Sequence, residues 1–357
     1  MGRFRSIPLF AFLFPALIMS TQWAAAQTPP NYLYGTGSPT FTTAEPVESG
    51  LINSGNGNLH IEIPMGSFPQ RGNRNLSGRL IYDSRIWTMA GGTWQPSNVP
   101  GSQSGGWRFA TSVDPGVIQW TRTIDWTICP NRQPVFFYQD WTWTAPDGTV
   151  RHFQITITYF SCSGGGTHSG DAFADDSSGF HMYLSNCTAP PNSCTVQVNA
   201  PDGTQLYPNV KDANGNFFSA DVNGNIIDTL GRTPVLKTVS GSQTFYDILN
   251  SQNTRSRYTV TWATIPVHTA FGQTGIPDCG DSSSCTITVA TRLDLPDGSF
   301  YAFNYDQGTT AGNYGEMISM QVPTGATINY GYTTFQDAYG NKNRWVSSRT
   351  KGSGMWT

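Results

Sequence analysis

The chain has 357 residues, with 20 Lys and Arg against 23 Asp and Glu, and it carries only 12% charged residues beside 38 Gly, 23 Pro and 13% aromatics. No basic cluster is present to neutralise a phosphate backbone, so no nucleic-acid partner is expected. Abundant Gly, Pro and aromatics suit many strands joined by tight turns and argue against helices.

At the N-terminus, Arg3 and Arg5 precede an apolar run from Ile7 to Met19, and Ala24-Ala25-Ala26 stand before Gln27. Residues 1–26 therefore read as a secretory signal peptide cut after Ala26. The run is short, is broken by Pro8 and Pro15, and no later stretch approaches the roughly 20 apolar residues a spanning helix needs. No membrane span is expected once the signal is removed. The location implied is secreted or cell-envelope, extracellular or periplasmic, and Gln27 in place of Cys gives no support for a lipid anchor. Loss of the signal leaves 18 basic against 23 acidic residues.

Residues 27–50, rich in Pro, Thr, Ser and Gly, read as an extended lead-in. A β-rich domain is expected over 51–290. Its first strand is marked by Leu59, Ile61, Ile63 and Met65 alternating with His60, Glu62 and Pro64. In "VIQWTRTIDWTI" the residues Ile118, Trp120, Ile124, Trp126 and Ile128 share one parity, interrupted by Arg122. The same period marks Phe153 to Tyr159, Tyr258 to Trp262, and Ile287 with Val289. Over 291–357 it recurs at Tyr301, Phe303 and Tyr305 and in "ATINYGY". No segment after the signal keeps an i, i+3, i+4, i+7 pattern for three turns, so the fold class is all-β, antiparallel hairpins in extended twisted sheets, with almost no helix.

"APDGTVRHF", "APDGTQLY" and "LPDGSFYAF" share Pro-Asp-Gly before a strand, the composition of a hairpin corner. "KDANGNFFSADVNGNIIDTLGRTP" (211–234) repeats Asp-x-x-Gly at Asp212/Gly215, Asp221/Gly224 and Asp228/Gly231. These oxygens could be read as a calcium site over Asp212–Asp228, but the Gly and Glu positions of a calcium-binding loop are not matched. Asp or Asn before Gly is also the preferred corner chemistry, and turns are the expectation.

The six cysteines of an exported chain point to disulfides. A hairpin about "APDG" (145–148) brings Cys129 and Cys162 to one open end; Cys187 and Cys194 bracket "TAPPNS", and Cys279 and Cys285 bracket "GDSSS". "SCSGGGTHSGDAFADD" (161–176) gathers Ser163, His168, Ser169, Asp171, Asp175 and Asp176, but crowding in sequence does not make a triad, and a flexible surface loop is expected. His60, His152, His168, His181 and His268 lack metal-ligand spacing. No catalytic, cofactor-binding or metal residue is assigned, and the chain is read as a non-enzyme. Trp87, Trp94 and Trp107, near Gly-rich turns, are candidates for exposure, Trp94 and Trp107 also for sugar stacking; Trp120, Trp126, Trp141 and Trp143, inside alternating strands, are expected in core or inter-strand packing roles.

Tyr-Asp pairs follow apolar strands at Tyr82-Asp83, Tyr246-Asp247 and Tyr305-Asp306. With "DANGN", "DVNGN" and "DTLGR", and across 51–87, 201–234 and 293–350, the chain resembles the lead-in regions of large secreted bacterial RHS, or YD-repeat, proteins. The resemblance implies a β-sheet that spirals into a shell around a C-terminal cargo or toxin, acting at cell surfaces or between competing cells. This chain would be the N-terminal portion of such a protein, or a short stand-alone relative, with 291–357 as its repeat-like segment. Its partners would be downstream repeats of the same or a longer polypeptide and a glycan or other cell-surface target. The rival expectation is a secreted β-sandwich that binds glycan.

Overall fold

The computed structural model describes residues 35–38, 44–70, 75–97, 102–187, 194–221, 223–351 and 354–356. The expected signal peptide, and 27–34 and 39–43 of the expected lead-in, lie outside them. The described residues are all-β, as the alternation predicts, with a 3-10 turn at Pro130–Arg132.

The chain fills its sheets one after another. A first sheet takes β1 (Ala44–Val47), β2 (Gly50–Asn53), β3 (Leu59–Phe68), β4 (Leu76–Asp83) and β7 (Trp107–Thr111), with a side hairpin of β5 (Trp87–Ala90) and β6 (Thr93–Pro96). A second has β9 (Val135–Thr144) at its centre, β8 (Val117–Asp125) along one edge, and β10 (Val150–Phe153) and β11 (Ile157–Phe160) along the other. A third runs β12 (Gly170–Phe173), β13 (His181–Ser185), β14 (Thr195–Asn199), β15 (Gln205–Tyr207).

The fourth sheet has eleven strands in unbroken chain order. They are β16 (Phe218–Ala220), β17 (Ile226–Asp228), β18 (Val235–Ser240), β19 (Gln243–Leu249), β20 (Arg255–Val267), β21 (Cys285–Asp294), β22 (Phe300–Tyr305), β23 (Met317–Gln321), β24 (Thr327–Gln336), β25 (Lys342–Lys351) and β26 (Gly354–Trp356). The division expected at 290/291 falls inside β21, where the sheet has no break.

Packing nests one lobe within the other. Leu59, Ile61, Ile63, Met65 and Leu80 of the first sheet share a core with Val235, Ile248, Val260, Val289 and Leu293 of the fourth. Trp141, Trp143, Phe153 and Ile157 of the second sheet share a separate core with Met182, Leu184 and Val198 of the third. The second lobe is thus an insertion between the first sheet and the one that covers it. The core strands, β3, β9 and β21 among them, turn apolar side chains inward, and a lone hairpin would leave that face in water; lamination onto a second sheet is what removes it.

The acidic-glycine stretches are corners. At Asp212, the main-chain N–H donates to Asn216 O, Gly215 N donates back to Asp212 O, and the carboxylate accepts from the N–H groups of Asn214 and Asn216. Asp221, Asp228 and Asp337 repeat the pattern, and Asn250 does so with Asn253 in the glycine's place. Gly215 and Gly224 sit at φ +80°, and Asn253 at φ 60°, the left-handed region that Gly and Asn tolerate best. The Pro-Asp-Gly corners work alike: Ala145 N donates to Thr149 O, and Asp147 accepts from Thr149 N.

Candidate interaction site

Trp87, Trp94 and Trp107 are not at the surface, which corrects the expectation that they are exposed and that the latter two stack on a ligand: they are 1%, 1% and 0% exposed. Trp94 lies on Phe271 with ring centroids 3.7 Å apart. Trp107 packs on Tyr82 and Phe303, and its Nε1–H donates to Tyr305 Oη at 2.8 Å. Turn proximity misled because the cover comes from far along the chain: Phe271 in the β20–β21 connection lies on Trp94, and Phe303 and Tyr305 of β22 lie on Trp107.

The Tyr-Asp pairs divide into core and clamp. Tyr82 Oη accepts from Met317 N at 3.1 Å, Tyr246 stacks on Phe109 at 3.9 Å, and Tyr305 Oη donates to Ala290 O. Asp247 takes Arg257 in a two-pronged pair at 2.8 and 2.9 Å, and Asp306 accepts from the N–H groups of Tyr314 and Glu316. Burial pushes Asp306 up to about 6 and the neighbouring Glu316 up to about 7, against the pull of Arg344, whose guanidinium Nε and Nη2 reach Glu316 at 3.0 and 2.9 Å.

Asp83 is the most connected of these carboxylates. Its Oδ1 accepts from Gly37 N (3.0 Å) and Asn58 Nδ2 (2.6 Å) and meets His60 Nδ1 (2.9 Å), while Oδ2 accepts from Arg108 Nη2 at 2.6 Å. His60 Nε2 meets Glu62 Oε1 at 3.2 Å, and Glu62 Oε2 accepts from Arg79 Nη1 at 2.6 Å. Burial alone would lower His60, but the two flanking carboxylates win and hold it up at about 9. Burial works against ionised Glu62 too; His60 and Arg79 outweigh it and bring it down to about 2. Asp83 is likewise held well below the usual carboxylate range by His60 and Arg108, despite its burial.

Arg108 carries this node to the inserted lobe. Its Nε donates to Pro146 O at 3.2 Å and its Nη2 to Asp147 O, while Thr36 Oγ1 donates to Gly148 O at 2.6 Å. The Ala145–Gly148 corner is thereby fastened to Asp83. A cavity of about 10 Å³ beside the node, lined by Asp83, Arg85, Ser102, Gln103 and Arg108, has room for about one water.

Other candidates are dispersed. His168 Nδ1 faces Cys187 O, Asp176 pairs with Arg151 and caps Ser178, and Asp171 pairs with His181 at 2.8 Å. The loop expected over 161–176 is in part strand β12. Among the described residues no group of three or more His, Cys, Asp or Glu is placed to hold a metal ion. The cysteines pair as expected, Cys129–Cys162, Cys187–Cys194 and Cys279–Cys285, with Cα separations of 5.8, 4.0 and 5.7 Å. These disulfides are compatible with an extracellular location, and no helix among the described residues is long and apolar enough to cross a membrane.

Exposed aromatics lie on the inserted lobe. Trp120, 37% exposed, packs across strands on Tyr138 and Trp141 with centroids 5.5 and 5.8 Å away, Trp141 and Trp143 are buried, and Trp126, just past the end of β8, is 55% exposed, so the packing role expected for all four fails at Trp126. Strand lengths explain this: β8 and β9 have 9 and 10 residues, and the strands opposite them have only 3 to 5. The face of β8 overhangs its cover.

A second aromatic group stands on the outer face of the third sheet, where His181 is flanked by Phe173 and Tyr183, two rings the sequence does not mark. Phe173 stacks on His181 with centroids 4.1 Å apart, and His181 meets Tyr183 at 4.0 Å. The available signal was in "HMYLS", whose Met182 and Leu184 point to the core and so send His181 and Tyr183 outward. Cross-strand register places Asp171, Tyr183 and Gln197 in one row and Phe173, His181 and Asn199 in the next. No family model matches the chain, and no curated protein matches it.

Proposed function

We propose that the chain is a non-catalytic scaffold, the N-terminal portion of a secreted RHS-like, YD-repeat polypeptide, which starts or caps a β-shell acting at the cell surface or between cells. The observation that carries this reading is the eleven-stranded meander whose spatial order is its chain order. Such a sheet grows by one hairpin at a time, each buried against its neighbours, so further repeats lengthen it without rearranging what precedes them. Among the described residues strand β26 pairs with β25 alone, and its other edge would take that addition.

A structural role also fits the buried polar groups. Both ring nitrogens of His60 are engaged by carboxylates, and the residue is 1% exposed, so neither nitrogen is placed to exchange a proton with a substrate. Each Asp of a Tyr-Asp pair is occupied in holding main chain or a guanidinium. The test is the native secreted product, captured with an antibody against this chain, sized and mapped by mass spectrometry. The expected result is one polypeptide well above 39.0 kDa, beginning at Gln27 and carrying further Tyr-Asp repeats. A secreted product ending at Thr357 contradicts the reading as a lead-in.

A further inference from the structure

We propose that the free edge of β8 is a dimerisation surface, onto which β8 of a second copy of this chain adds antiparallel about a two-fold axis at Thr121. Among the described residues β8 pairs with β9 alone, so its other edge is open. An open edge is a template for another strand, and proteins keep such edges short or block them with Pro, Lys or a bulge. The other strands that border the four sheets are short: β1, β7, β10, β11, β12, β15, β16 and β26 have 3 to 5 residues. Strand β8 has 9, without Pro or Lys, and Gln119 to Ile124 are exposed throughout. Its one irregularity belongs to its neighbour. From Gln119 to Thr121, two steps on β8 match three on β9, so the extra residue is Asp140, at φ 55°, and β8 itself stays regular.

The strand is complementary to itself, which is what selects a second copy as its occupant. In a two-fold dimer each residue must suit the one that the axis sets opposite it. Full overlap of Val117–Asp125 with its own copy puts Thr121 on the axis. Ile118 of one chain then meets Ile124 of the other, Trp120 meets Arg122, and Gln119 meets Thr123. Ile118, Trp120, Arg122 and Ile124 share the face on which Trp120 packs against Tyr138 and Trp141, and Gln119, Thr121 and Thr123 share the opposite face. Apolar side chains therefore meet apolar ones, polar meet polar, and the Arg122 guanidinium, which lies over Phe136 at 5.8 Å in its own chain, gains an indole from the other. Moving the axis one residue either way loses the match: at Arg122 it opposes two guanidiniums, and at Trp120 it sets Arg122 against Ile118. A foreign strand would need no such symmetry, and an anionic lipid surface would need more cations than Arg122, which Asp125 offsets within the same strand. Nine residues run about 30 Å, and a single strand edge is narrower than a standard interface, so the dimer is a weak one, with a dissociation constant in the micromolar range. The proposal goes beyond the scaffold role, because β8 lies on the inserted lobe and the dimer makes no use of β26.

Sedimentation velocity of the mature secreted chain over about 1–200 µM, together with oxidative cross-linking of single-thiol variants, tests the proposal. Monomer at the low end and dimer at the high end are expected. Trp120→Lys sets an ammonium opposite Arg122 of the second copy and should raise the dissociation constant at least about tenfold at unchanged thermal midpoint. Thr121→Cys lies on the axis, where the two introduced thiols face each other, and should give a disulfide-linked dimer; Gln119→Cys, opposite Thr123, should not. Monomer at every concentration, a dimer unaffected by Trp120→Lys, or equal cross-linking of the two thiol variants overturns the proposal. A monomer that instead co-sediments with phosphatidylglycerol vesicles assigns the edge to a lipid surface and overturns it equally. Because the readout is self-association and not chain length, its failure leaves the scaffold reading standing, and the reverse is also true.

Discussion

Tyr305 and Asp306 show how neighbouring residues in one dipeptide take opposite environments: the ring enters the core beneath Trp107, and the carboxylate holds the turn at Tyr314 and Glu316. Strand alternation makes this possible, since adjacent side chains leave opposite faces. Trp107→Ala removes a fully buried indole and should cost about 3–5 kcal/mol in urea unfolding, whereas the same change at exposed Trp126 should cost little. The Asp83 node sets a pH dependence. His60, raised to about 9 from 6.5, contributes stability that is complete below pH 6.5 and lost as pH rises through 9. Glu62, lowered to about 2 from 4.5, contributes stability that is present above pH 4.5 and lost as pH falls through 2. Asp306 and Glu316, raised by burial from 3.8 to about 6 and from 4.5 to about 7, add a loss that sets in above their ordinary values and is complete once pH has passed about 6 and about 7. The thermal midpoint should therefore be highest near pH 4.5 and fall toward pH 9, with His60 supplying about 3 kcal/mol of the change above pH 6.5. In His60→Gln the fall between pH 6.5 and 9 should shrink, and parallel profiles for the two proteins would refute the assignment.

Between residue and molecule, the corners and disulfides decide how strands are joined. Asp228 is buried and accepts from Leu230 N, Arg232 N and Arg232 Nε, so Asp228→Ala leaves three donors without their acceptor and should cost about 1–3 kcal/mol by chemical denaturation. Cys129–Cys162 closes a separation of 33 residues, against 7 and 6 for the other pairs. Loop-closure entropy then gives about 4 kcal/mol for the long bridge and about 2 for each short one. The Cys129→Ser/Cys162→Ser protein should show the largest drop in denaturation midpoint of the three double variants. These elements were legible in the sequence because their causes are local. Alternation at Leu59–Met65, the Asp-x-x-Gly and Pro-Asp-Gly corners and the three cysteine pairs each depend on a few neighbouring residues. Coverage is not local. Trp107 is buried by Tyr305, 198 positions away, and Trp120 is exposed because the sheet opposite β8 is made of short strands, neither of which periodicity reports.

At the scale of the whole chain, an inserted lobe is fastened to its host by few polar contacts, of which Arg108 makes several at once. Arg108→Met removes the link from Asp83 to the Ala145–Gly148 corner. Calorimetry should then resolve two unfolding transitions where the parent shows more closely coupled ones, and a single unchanged transition would show that the lobes are coupled elsewhere. The order β16 to β26 reads as a sheet under extension, each hairpin covering the edge left by the one before. If that is its role, β26 is a junction and not a finished border. Hydrogen–deuterium exchange, comparing the isolated chain with the native secreted polypeptide, tests this most directly. The account predicts that amides of Gly354–Trp356 exchange quickly in the isolated chain and are protected in the native product, while the amides of β3 and β21 are protected in both. Equal, rapid exchange along β26 in the two samples would mean that no strand joins that edge, and would contradict the scaffold assignment.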